Sequence, residues 1–394
     1  MSDLFLLLLL VVAVGIGWLL GFQARRDRRL SHLAARLRRE YFLGLNHLLS
    51  EHSDEAVETF LRALEIDSDA VDTHLALAEL FRRKGDVGRA VKVHQGLLDR
   101  NDLSAAHVHL VQTGLAKDYL SSGLLDRAET LLRDILSKGS AQQRIDALVL
   151  LMEVYQQERD WQNALYVGQQ RLYLQPDNPR LRSHLSHYAC ELAEQAVSGG
   201  QRQMAYDYLK QSLSYDTGCG RALLKLTTFS IEDGQWRPAL RYLKRFRKSN
   251  PDMLSEGLAS IVEVYRALQR PKALVKVLVH WHSTNPSATL LIAIARYIKA
   301  EEGYEQAHAF MIEQLNQRMT LRGMRYLTEL ELEQQSGLQP QSTRLVDNAL
   351  KMVLETKAFY QCGHCGFHGR QMYWQCPRCK EWGAIKPIRG IEGD

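Results

Sequence analysis

Proline is scarce in this chain, with nine residues among 394, and glycine numbers only 26. Collagen-like and low-complexity disordered chains need far more of both and are excluded. Cysteine is nearly absent from the first 361 residues, where Cys190 and Cys219 stand alone and suit small buried hydrophobes. The usual signatures of catalysis are missing as well. There is no P-loop, no His-Glu-x-x-His, no Gly-x-Ser-x-Gly and no glycine-rich dinucleotide fingerprint. His280 and His282 flank Trp281 with no carboxylate or cysteine close by, and read as polar surface. A basic footprint for nucleic acid is lacking too. The formal charge is +5, but seven arginines between Arg25 and Arg39 against Asp27 give that segment +6, so the rest carries −1.

What is present is a ladder of alanines. Ala205, Ala239, Ala273 and Ala307 follow one another at 34 residues. Upstream it continues through Ala164, Ala128, Ala90 and Ala56, at spacings of 41, 36, 38 and 34. A period of 34 marks tetratricopeptide (TPR) repeats, each a pair of antiparallel helices. Alanine belongs where two helices approach closely. Gly85, Gly123, Gly200 and Gly234 sit five residues before a ladder alanine, at the turn between paired helices, and Pro176 and Pro251 sit twelve after one, where the second helix stops. Trp161, Trp236 and Tyr304 precede their alanines by three, and Phe60, Leu132, Leu209 and Leu243 follow theirs by four. All of these read as core. The first repeat pairs Tyr41–Leu49 with Asp54–Leu64, and a degenerate last pair falls at Gly323–Gln335 and Thr343–Glu355. The longer spacings leave room for extended helices or loops.

Leu4 to Phe22 is an apolar run without a charge. As a helix it reaches about 28 Å, close to the hydrocarbon thickness of a bilayer. Only Asp3 precedes it and the arginine cluster follows, the reverse of a cleaved signal peptide. The positive-inside rule then places the arginines and everything after them in the cytoplasm. The arginines set topology and can also bind anionic headgroups. Residues 1–22 are therefore expected to be a transmembrane anchor, 23–40 a basic juxtamembrane linker, 41–356 the TPR array and 357–394 a separate small module.

That module holds Cys362-Gly-His-Cys365 and, ten residues later, Cys376-Pro-Arg-Cys379. Two Cys-x-x-Cys pairs at this separation indicate a tetrahedral four-cysteine site for one metal ion, iron or zinc. His364 and His368 are substitute ligands, but four cysteines already complete the shell. Two disulfides are excluded in a reducing cytosol. Tyr360, Phe367, Tyr373, Trp374 and Trp382 exceed what so small a core can bury, and the linker from Glu355 to Cys362 is short, so the module is expected to dock on the final repeats and cap them. Three roles stay open for it: a structural metal site, rubredoxin-like electron transfer, or a zinc ribbon on nucleic acid.

The ending Tyr373-Trp374-Gln375-Cys376-Pro377-Arg378-Cys379, with Trp382 and Ile385-Lys386-Pro387-Ile388-Arg389-Gly390, resembles the lipopolysaccharide assembly protein B (LapB) family. So do Gly44-Leu45-Asn46-His47-Leu48-Leu49, Leu80-Phe81-Arg82, and Asp118-Tyr119 followed by Gly123 and Asp126-Arg127-Ala128-Glu129. The resemblance spans essentially the whole chain, apart from a poor match near Gln195–Gln203. It implies an all-α TPR superhelical solenoid with one N-terminal transmembrane helix and a C-terminal rubredoxin-like module ligated by Cys362, Cys365, Cys376 and Cys379. It further implies a single-pass inner-membrane adaptor without enzymatic activity. Its partners would be the membrane protease FtsH, the deacetylase LpxC, whose degradation it promotes, and other lipopolysaccharide assembly proteins, with homo-oligomers allowed and nucleic acid not.

Overall fold

The computed structural model describes residues 18, 35–47, 50, 52–66, 70–334 and 341–394. The expected anchor, apart from residue 18, and the linker up to residue 34 lie outside these. Among the described residues no helix is long and apolar enough to cross a membrane. The chain forms two compact units, Met1–Leu174 and Gln175–Asp394, each built of antiparallel helix pairs.

In the first unit, α1 (residues 35–47) and α2 (Ser53–Ile66) bury Ala56 and Phe60 in a cluster with Leu77, Leu80 and Ala90. Gly44 on α1 is required there, because a Cβ would meet the Phe60 ring at 2.6 Å. The unit continues through α3 (Val71–Arg83), α4 (Val87–Leu98), α5 (Ala105–Ser121), α6 (Leu125–Lys138), α7 (Ala141–Glu158) and α8 (Trp161–Leu174). The second unit holds α9 (Pro179–Ser198), α10 (Arg202–Tyr215), α11 (Gly220–Glu232), α12 (Trp236–Ser249), a 3-10 turn Pro251–Met253, α13 (Leu254–Ala267), α14 (Pro271–Thr284), α15 (Ala288–Glu302), α16 (Tyr304–Gln317), α17 (Leu321–Gln334) and α18 (Gln341–Thr356). The long spacings went into helix length: α5 has 17 residues and α9 has 20.

The alanine ladder is the seam of each pair. Ala56, Ala90, Ala128, Ala164, Ala205, Ala239 and Ala307 are fully buried, and Phe60, Leu132, Leu209 and Leu243 are buried beside them. Gly85 turns between α3 and α4 at φ +83°, a conformation that costs an L-residue energy and glycine little, and Gly123, Gly200 and Gly234 repeat it. Pro176 and Pro251 lie just past the ends of α8 and α12.

One rung is misplaced by sequence. Ala273 is only half-buried, and Leu274 takes the seam position with Leu278 and Trp281. The turn shows why. The left-handed residue there is Gln269, at φ +54°, five before Leu274 rather than five before Ala273. No glycine marks that turn, so the register shift is invisible to spacing alone. Arg159 likewise takes the left-handed position before Ala164, at φ +59°. Cys190 and Cys219 are buried as expected, but they lie together, with Cys190 Sγ 3.3 Å from Ser212 Oγ and Ser212 bonded to Ser186.

Candidate metal centre and its docking surface

The module after α18 is not helical. β1 (Tyr360–Cys362) pairs antiparallel with β2 (His368–Gly369) on one side and β3 (Ile385–Pro387) on the other. Strands this short carry no readable alternation, so sequence missed them.

Each Cys-x-x-Cys pair forms the same tight turn. Gly366 N–H donates to Cys362 O at 3.0 Å, and Lys380 N–H donates to Cys376 O at 2.9 Å. Cys362 N–H in turn donates to Phe367 O, and Cys376 N–H to Glu381 O. The residue after each second cysteine is left-handed: Gly366 at φ +71° and Lys380 at φ +60°. Glycine relieves the first turn, while the second carries a lysine in the strained conformation.

The two turns bring the four predicted cysteines together. Their sulfurs all lie within 4.8 Å of one another, with Cys362–Cys379 at 3.8 Å and Cys365–Cys376 at 3.7 Å. Thiolates about 2.3 Å from a tetrahedral ion are separated by about 3.8 Å, so the donor set fits iron or zinc. Cys362 and Cys376 are buried, Cys365 and Cys379 half-buried. His364 and His368 are exposed, and neither belongs to the cluster.

The module is docked, and more widely than its short linker suggests. Trp382 stacks on His187 of α9 at 5.0 Å with rings 18° apart, and meets Tyr188 edge-on. Trp374 and Met372 join Leu223, Phe246 and Met253 in one cluster. Phe367, by contrast, packs within the module, and Tyr373 is exposed. The surplus aromatics are thus divided between module core and helix surface.

Polar contacts fix the orientation. Arg180 grips Glu381 through two guanidinium nitrogens, one at 3.0 Å. Burial pushes the Glu381 carboxyl up, but Arg180 and His184 outweigh it and hold the group below its usual range. Lys386 reaches Asp252 at 3.0 Å, and the Tyr360 hydroxyl donates to Glu256 at 2.8 Å. Beyond β3 the chain runs along the repeats. Leu321 N–H donates to Ile391 O, and the Asp394 carboxylate accepts from Ser287 Oγ at 2.7 Å, Thr289 N–H at 2.8 Å and Arg322 at 3.1 Å. An anion at the start of α15 is favoured by that helix's dipole. These partners are 70 or more residues apart in sequence, which is why periodicity could not reveal them.

His187 is fully enclosed, and its Nδ1 has no hydrogen-bond partner. Burial, with Arg221 and His184 adding positive charge, pushes its pKa down to about 3. It is a neutral ring under Trp382. The expected capping of the array's end does not occur: on α18 only Leu354 is buried, and Leu345 and Met352 remain exposed.

Stacked helix pairs carrying a docked four-cysteine knuckle define a TPR-type repeat protein with a rubredoxin-type metal module. A family model described as "Rubredoxin metal binding domain" matches residues 360–387, and one for the tetratricopeptide repeat matches residues 73–106. Lipopolysaccharide assembly protein B of Escherichia coli strain K12 is 31% identical, covering 98% of this chain and 99% of the relative. The Haemophilus influenzae protein of that name is 28% identical over 98% of each chain. Among solved structures, Pseudomonas aeruginosa PilF is similar at TM-score 0.38 and 17% identity, over 58% of this chain and 99% of that one. The chain belongs to the lipopolysaccharide assembly protein B family.

Proposed function

We propose that this protein is an inner-membrane adaptor in lipopolysaccharide assembly, with no catalytic activity of its own. The observation that carries the reading is end-to-end likeness to relatives named for lipopolysaccharide assembly, covering repeats and metal module together. The apolar run 4–22 would anchor the chain by one pass, leaving the repeats in the cytoplasm. The repeats would present surfaces to protein partners, as TPR arrays do. We assign Cys362, Cys365, Cys376 and Cys379 as ligands of one iron or zinc ion. When bound, the ion supplies a structural crosslink between the two knuckles. The chain's own residues do the rest: Trp382, Glu381 and Asp394 hold the module against the second unit. The partners this reading names are the protease FtsH and its substrate LpxC.

Capture tests it. The full chain, expressed in membranes and crosslinked, is purified and its partners identified. Recovery of FtsH and LpxC supports the adaptor; recovery of ribosomes or RNA alone overturns it in favour of nucleic-acid binding. If zinc-only protein supports growth and LpxC turnover as well as iron-loaded protein does, electron transfer is eliminated.

A further inference from the structure

Many cations of the second unit are held in ion pairs: Arg202 with Glu232 and Asp233, Arg221 with Glu191 and Glu194, Lys299 with Glu333. One face departs from this. On α12, Arg237, Arg241, Lys244 and Lys248 are exposed, and on α14 so are Lys272 and Lys276. Neither helix contains an acidic residue. Among the described residues, none of these six cations makes an ion pair. At about 100° per residue, the four on α12 fall within about 30° of one line along the helix, on the side away from Ala239, Leu243 and Phe246. Lys272 and Lys276 stand two before and two after Leu274, the displaced seam residue, as Arg237 and Arg241 stand two before and two after Ala239. A shared core cluster, and the Arg247 guanidinium 5.6 Å from the centre of the Trp281 ring, hold α12 and α14 side by side. The two stripes thus form one basic face, about 17 Å long on α12.

The repeat itself does not impose this face. The same four surface positions hold Gln203, Asp207, Lys210 and Ser214 on α10, and Glu305, Ala309, Ile312 and Asn316 on α16, all exposed. Helix stability does not favour it either. Like charges four residues apart repel, as at Arg237–Arg241 and Lys244–Lys248. Arg237 and Lys272 lie in first turns, where the helix dipole disfavours a cation. A face that met only water would mix both signs.

We propose that this face of the second unit docks on an anionic lipid bilayer. The inference rests on the proposed single-pass anchor, which keeps the repeats beside a membrane and raises the effective concentration of headgroups. Each Lys or Arg near an anionic surface strengthens the attraction about fivefold, so six on one face suffice for a tethered domain. Single-stranded nucleic acid fits less well, because the stripe offers no exposed aromatic for base stacking: Trp236 and Tyr242 are half-buried, and Phe246 and Trp281 are buried.

The lysines report the docking themselves. The full-length protein is mixed with vesicles of phosphatidylcholine alone, or with about one-third phosphatidylglycerol, and briefly acetylated; mass spectrometry reads each lysine. Labelling of Lys244, Lys248, Lys272 and Lys276 should fall about fivefold in the anionic vesicles and recover at about 0.5 M salt. Lys380, exposed on the metal module, should label equally in both. Arg237→Glu/Arg241→Glu leaves all four reporters in place and should return their labelling to the neutral-vesicle level. Both positions are exposed, so folding is preserved and circular dichroism verifies it. Flotation reports the anchor separately. A chain that floats only with anionic vesicles, with the four lysines protected, keeps this face but lacks the anchor. A chain that floats with both vesicle types and shows no protection in the anionic ones overturns this proposal alone. It is also overturned if the double variant stays protected, or if RNA added to neutral vesicles protects the four lysines more strongly than anionic lipid does.

Discussion

Trp382→Ala separates docking from metal binding. Trp382 is 5% exposed, and its ring lies flat on His187 and edge-on to Tyr188. Removing a buried indole costs about 3–5 kcal/mol through lost transfer free energy and the cavity left behind. The ring contacts are part of that figure, since a stacked aromatic pair contributes about 0.5–1.5 kcal/mol. The second unit spans residues 175–394. For a unit of this size each kcal/mol moves Tm by about 2–4 °C, so a fall of roughly 6–20 °C is expected. The four sulfurs are positioned by their own turns, so metal content should hold at one ion per chain. Differential scanning calorimetry gives the first quantity and metal analysis the second. Hydrogen exchange locates the change: amides of α9 and α13 should lose protection while those of α3 to α6 keep it. If Trp382→Ala retains metal and leaves both the melting temperature and α9 exchange unaltered, the stacking does not hold the module and the reasoning is wrong.

Further outcomes follow from the same geometry. A buried His187 refuses a proton until about pH 3, whereas an unfolded histidine takes one near 6.5. His187 should therefore contribute a loss of about 1.4 kcal/mol of stability per pH unit between pH 6.5 and about 3, and denaturant titrations of His187→Phe should show the overall slope reduced by that amount. Lys380 is exposed and left-handed at φ +60°, so Lys380→Gly should raise the module's resistance to chelator by about 0.5–1 kcal/mol. Ala239→Leu should cost about 1–3 kcal/mol by overpacking a closed seam, while Ala273→Leu, at the displaced rung, should stay within about 0.5 kcal/mol in urea melts. Arg180→Ala should cost no more than about 1 kcal/mol, since that arginine is largely exposed despite its two-pronged grip on Glu381.

The helix pairs were legible because a repeat writes its packing into a short period. Ala205 and Ala239 mark seams, and Gly200 and Gly234 mark turns, each read without reference to anything distant. Where the local mark is missing, the reading slips, as at Gln269, whose left-handed turn moves the seam from Ala273 to Leu274. The four cysteines were legible because metal geometry fixes their spacing. The docking surface was not. Glu381 and Arg180 are 201 residues apart, and Tyr360 and Glu256 are 104 apart. Such pairs become neighbours only after the repeats have stacked. The excess of aromatics did foretell that part of the module would be covered, though not that α9 would cover it. It also misled: Leu345 and Met352 on α18 stay uncovered because the module lies across α9, α13, α15 and α17 instead.

The central claim is that adaptor function depends on a metal-folded module held against the repeats. The most direct measurement is the half-life of LpxC after synthesis is blocked, in cells whose only LapB-family protein is this chain or its Cys376→Ser/Cys379→Ser variant. Loss of two ligands should release the ion and unfold the knuckles, because metal binding and folding of so small a module are coupled. The account predicts normal turnover with the parent chain and markedly prolonged LpxC lifetime with the variant, at equal amounts of membrane-inserted protein. Equal LpxC lifetimes in the two strains would contradict it.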